Sequence, residues 1–106
     1  MKIIIGIAAQ EVLRPNTKRV GFEITFIPSS IIAANTGLVY HKTGGPPSSL
    51  TKSGNYDGVM NSGASVSRNI EVGDSEQVVK GSQWIVSDTA DQIVSVLEFT
   101  EGEPLI

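Results

Sequence analysis

His41 is the only imidazole in the chain, and it stands between Tyr40 and Lys42. A nucleophile–base pair or an imidazole metal site would have to use it. Neither a Gly-x-Ser-x-Gly elbow nor a second histidine at ligand spacing accompanies it. It is therefore expected as an exposed structural side chain. Asp88 and Asp91 flank Thr89-Ala90. Two carboxylates on one loop begin a calcium site, to which Ser87, Thr89 and Gln92 would add oxygens. Calcium takes about six to eight oxygen ligands, however, and the spacing matches no dense Asp/Asn/Gly calcium loop. Asp also bonds nearby backbone N–H groups in turns, which is the role expected here. Nor does the pair show the separated environments that glycoside hydrolysis requires of its two carboxylates.

Arg14, Lys18 and Arg19 form a small basic patch around Pro15, offset by Glu11 and Glu23. It reads as a solvated turn, or as a surface that grips carboxylates on a partner through the bidentate fork of arginine. Gly44-Gly45 lacks the strand–loop–helix setting of a phosphate cradle. There is no cysteine, which removes disulfides and thiolate metal sites. No catalytic residue, cofactor or metal is expected.

Composition sets the frame that must carry these residues. The chain has 106 residues, 40% of them hydrophobic and 18% charged. One domain of that length buries roughly two-thirds of its unfolded surface, and wholesale disorder is disfavoured. The formal net charge is −3 and the pI about 5.0, which argues against a general nucleic-acid binder. The apolar run Ile3 to Ala9 is too short for a secretory signal or a bilayer span. It reads as a first strand, or as an assembly arm within residues 1–10.

Val20, Phe22, Ile24 and Phe26 alternate with smaller or polar residues, the period of a half-buried strand. The same reasoning gives strands over Lys2–Leu13, Arg19–Ile27, Gly37–Lys42, Ala64–Ile70, Glu76–Val79, Gln83–Ser87 and Ile93–Thr100. Pro28-Ser29-Ser30 ends the second of these. Ile31 and Ile32 are expected to tuck under a sheet edge. About seven short strands separated by turn signals predict an all-β domain, an antiparallel sandwich or barrel. Trp84 and Val86 are expected to share the core with Phe22, Ile24 and Phe26. The Ile93–Phe99 run is apolar on both faces, so one face should meet the core and the other a neighbouring element or subunit. Ile3, Ile4, Ile5, Ile7, Val94 and Val96 are the candidate subunit interface.

Thr43 to Ser62 is rich in Gly, Pro, Ser and Asn. A loop of this length in a compact domain is usually functional or mobile. It reads as a solvated excursion or as a contact arm anchored by Leu50, Tyr56 and Met60.

Taken together, Arg14-Pro15-Asn16-Thr17-Lys18-Arg19, the strand Phe22–Ser30, Gly37-Leu38-Val39-Tyr40, Asn61-Ser62-Gly63-Ala64 and the segment Gly81–Ala90 around Trp84 resemble a class of small all-β proteins of tailed bacteriophages. The resemblance covers roughly Glu11 to Glu98. It implies a non-enzymatic virion protein, a head decoration or cement protein on the outer capsid, often trimeric, whose partner is the major capsid protein. Such a chain would be made in the host cytoplasm and would need neither nucleic acid nor membrane. The long Thr43–Ser62 stretch departs from the pattern. A rival reading is a head-fibre or tail module that binds host-surface carbohydrate, for which Tyr40, Tyr56 and Phe99 are the aromatics left outside the expected core.

Overall fold

A computed structural model describes residues 1–46 and 56–101. The chain forms eight strands: β1 (Lys2–Ile5), β2 (Gln10–Leu13), β3 (Arg19–Phe26), β4 (Val39–Thr43), β5 (Gly58–Met60), β6 (Ser65–Asn69), β7 (Gln83–Ser87) and β8 (Gln92–Thr100). They pair antiparallel from the ends inward, β1 with β8, β2 with β7, β3 with β6 and β4 with β5. This is one long hairpin ribbon. Rolling it up adds the pairings β3–β8 and β4–β7, which produces two four-stranded sheets in the orders β1-β8-β3-β6 and β2-β7-β4-β5. That order is a jelly roll. The all-β expectation holds, and the choice between sandwich and barrel falls to the sandwich. The Gly/Pro-rich stretch after Thr43 separates β4 from β5 in sequence. Residues 47–55, Leu50 among them, lie outside the described residues.

Between the sheets lie Ile5, Val12, Leu13, Phe22, Ile24, Phe26, Val39, Met60, Ile85, Val94 and Val96. β3 supplies the centre, because it pairs with β6 and β8 on either side and its period-two pattern sends Phe22, Ile24 and Phe26 into the core between the sheets.

Several sequence expectations change. Lys2–Leu13 is two strands, and the chain crosses from one sheet to the other at residues 6–9. Gly6 marks the corner, as glycine inside a strand pattern often does. Residues 2–5, expected as part of an assembly arm, pair with β8 of the same chain. Glu76–Val79 is not a strand but the start of helix α1 (Glu76–Lys80), whose N-cap Ser75 accepts from the Val78 N–H at 3.2 Å. One turn is too short to display helical periodicity, so only its cap could have announced it. β5 hides in three residues behind the turn-rich stretch. Ile31, expected under a sheet edge, is exposed.

The faces of β7 are also inverted. Gln83, Ile85 and Ser87 point inward, while Trp84 is half-buried on the outer side and Val86 is buried outside the main core. Two polar residues accept interior positions because their bonds are met. The Gln83 amide donates to the carbonyls of Val78 and Gly81, and Ser87 Oγ donates to that of Leu38. Burial without a partner would cost far more.

Candidate interaction surfaces

The outer face of the β1-β8-β3-β6 sheet carries exposed apolar residues. Along β8, Ile93, Ser95, Leu97 and Phe99 point outward, opposite in phase to the buried Val94 and Val96. Ile4 of β1 stands directly across from Ile93. Phe99 stands across from Gly21, which has no side chain to cover the ring. Ile4 is 66% exposed, Leu97 44% and Phe99 47%. Leu97 faces Glu23, and Ser95 stands between Lys2 and Thr25, so a polar row separates Ile4 and Ile93 from Leu97 and Phe99. Exposed apolar groups that share one sheet face mark contact sites more often than scattered ones do.

The six residues expected at a subunit interface therefore separate. Ile4 and Ile7 are exposed and available to a second chain. Ile3 packs against the core from its rim. Ile5, Val94 and Val96 are buried within the chain's own sandwich and offer no surface. Their outward neighbours Leu97 and Phe99, which the sequence reading did not name at the interface, are the exposed apolar residues of β8. The signal was present: a strand apolar on both faces cannot bury both in one sandwich.

The expected contact arm also divides. Met60 is a core residue. Tyr56 is half-buried and packs on Tyr40 with ring centroids 5.2 Å apart. Leu50 lies outside the described residues. Trp84, expected in the core, stands on the outer side of the second sheet, where its Nε1–H donates to Ser82 Oγ at 3.1 Å.

In the basic patch, Arg14 and Lys18 are exposed, but Arg19 is fully buried. A register shift between Arg19 and Gly21 marks a β-bulge, and bulges re-aim side chains. The Arg19 guanidinium reaches the Glu98 carboxylate at 2.7 Å, donates to the carbonyls of Val79 and Gly81 at 3.0 and 2.9 Å, and also bonds the Arg14 carbonyl. It ties the β2–β3 connection, the end of α1 and β8 together, so it is a structural tie rather than part of a docking patch.

His41, expected exposed, is buried, with its ring 6.2 Å from that of Phe22. Burial lowers its pKa below the ordinary 6.5, more than the Gln83 hydrogen bond and nearby Asp57 raise it. Asp88 is a turn residue as expected: its Oδ1 accepts from the Leu38 N–H and the Thr89 hydroxyl. Asp91 holds a left-handed backbone at φ 58° in the same β7–β8 turn. Among the described residues no three acidic, histidine or cysteine side chains gather as a metal site, and no helix is long and apolar enough to cross a membrane. Compared with family models, curated proteins and solved structures, the chain matches none of them.

Proposed function

We propose that this chain is a non-enzymatic virion structural protein, a capsid decoration protein that docks on the assembled coat lattice and stabilises the head. One observation carries the reading: the outer face of the β1-β8-β3-β6 sheet presents Ile4, Leu97 and Phe99 to solvent in a fold whose core is already filled. The jelly roll is an architecture that capsid proteins use. The resemblance of the segments from Arg14 to Ala90 to small phage all-β proteins supports the same reading. A ligand that binds only the assembled lattice stabilises it by mass action, and weak contacts repeated by symmetry add through multivalency. The partner is the major capsid protein, and the docked unit is a homotrimer.

The test is the composition of purified virions together with the assembly state of the purified chain. Mass spectrometry should find the chain at copy numbers comparable to the coat protein, and light scattering should find an oligomer. A monomer that is absent from virions contradicts the proposal.

A further inference from the structure

At the edge of the sandwich farthest from β1, the edge strands β5 and β6 leave a cleft of about 190 Å³ between the sheets. His41, Asp57, Val59, Val66 and Arg68 are among the residues that line it. The hydrogen-bonding state of each polar group follows from its neighbours. The Gln83 amide nitrogen donates to two carbonyls, at 2.7 and 3.1 Å, so its Oε1 is an acceptor. His41 Nε2 lies 2.8 Å from that oxygen and must carry the proton. Nδ1 is then an unprotonated acceptor. Among the described residues Nδ1 has no hydrogen-bond partner, and none of their buried side-chain nitrogens or oxygens lacks one, so Nδ1 is an accessible acceptor on a residue that lines the cleft.

Asp57 uses Oδ2 to accept from the Thr43 N–H at 2.8 Å. Arg68 uses Nη1 to donate to the Ser67 carbonyl at 2.8 Å. The two side chains line one cleft, yet neither forms an ion pair among the described residues. The site thus offers two acceptors, a fork of spare donors and valine side chains at its wall. A lone anion would meet Asp57, and a lone cation Arg68. A hydroxyl both donates and accepts, so it satisfies either side without net charge. The volume falls below the roughly 300–1,000 Å³ of drug-sized pockets, which suits one ring rather than a long chain.

We propose that this cleft binds a neutral polyhydroxyl ligand the size of one sugar ring, with Asp57 and His41 Nδ1 accepting from its hydroxyls and Arg68 donating to them. The site lies away from the apolar outer face of β1 and β8, so it stays open when that face is covered.

Amide chemical shifts of the ¹⁵N-labelled full chain test this during titration with the methyl glycosides of glucose, galactose, mannose and N-acetylglucosamine. Acetate and glycine serve as charged comparators. The expected result is saturable shifts at Gly58, Val59, Val66 and Arg68 with at least one sugar. Arg68→Gln and Asp57→Asn should each weaken them at least about tenfold, while Leu97→Ser leaves them unchanged. Asp57→Asn, at an exposed position, keeps the test decisive if Arg68→Gln loses its folded spectrum. Silence toward every sugar, saturation by acetate or glycine alone, or sugar shifts indifferent to both cleft variants would overturn the proposal.

Discussion

Arg19 and Glu98 stand 79 residues apart in the chain, and their side chains meet at 2.7 Å across β3 and β8. Glu98 also accepts from Asn16 Nδ2 at 3.4 Å, so one carboxylate holds two points of the β2–β3 region. The arginine is fully buried and the glutamate one-third exposed. Removing the arginine takes the side-chain donor from three carbonyls and leaves the Glu98 carboxylate only Asn16, whereas neutralising the glutamate leaves the guanidinium its backbone bonds.

The consequence is an asymmetry between two variants. Arg19→Ala should cost about 3 kcal/mol, and Glu98→Gln only about 1 kcal/mol, because water screens its exposed side. Urea unfolding midpoints at unchanged slope measure both. Equal losses would show that the ion pair, and not the carbonyl bonds of Arg19, dominates.

His41 makes stability depend on pH. Burial lowers its pKa in the folded chain below the ordinary 6.5, so between the two values the unfolded chain binds more protons. Stability from this group is then fully present above pH 6.5 and falls as the pH drops from there through the folded pKa. Melting temperatures measured in steps downward from pH 7.5 should decline through this window, and His41→Gln should flatten that decline. A wild-type curve level below pH 6.5 would contradict the burial of a neutral ring.

Gly37 is required by proximity. A Cβ added there would lie 2.4 Å from Thr89 Oγ1 and 2.6 Å from Asp88 Oδ1, and Asp88 Oδ1 is already held by the Leu38 N–H. Gly37→Ala should therefore displace the Asp88–Thr89 turn from the start of β4 and cost about 2 kcal/mol. Gly45→Ala, with nothing within 4 Å of the added atom, should stay within about 0.5 kcal/mol. Thermal denaturation of the pair checks the contrast.

Hydrophobic period alone revealed the strands that form the centre of the fold. β3 and β8 announce themselves because Phe22, Ile24 and Phe26, and Val94 and Val96, repeat every second residue. What the period could not show is where polar residues turn inward. Arg19, Asn35, His41, Gln83 and Gln92 are all buried, and each has at least one partner in a distant segment. Asn35 Nδ2 donates to the carbonyls of Ile27 and Ile93, and Gln92 Nε2 to those of Ala34 and Ala90. A local pattern contains no trace of the distant partners, so Arg19 read as surface. The apolar face of β8 was legible as an excess of hydrophobic residues. Its named residues were not, since Val94 and Leu97 differ only in phase.

The direct test of the docking account is co-sedimentation of the purified chain with the assembled coat lattice proposed as its partner, for wild type and for Leu97→Asp. Leu97 is 44% exposed, so the substitution should leave the fold intact while placing a charge in the proposed contact. Saturable pelleting of wild type at copy numbers comparable to the coat, lost in Leu97→Asp, is the predicted result. No pelleting of wild type, or pelleting that Leu97→Asp leaves unchanged, would contradict it.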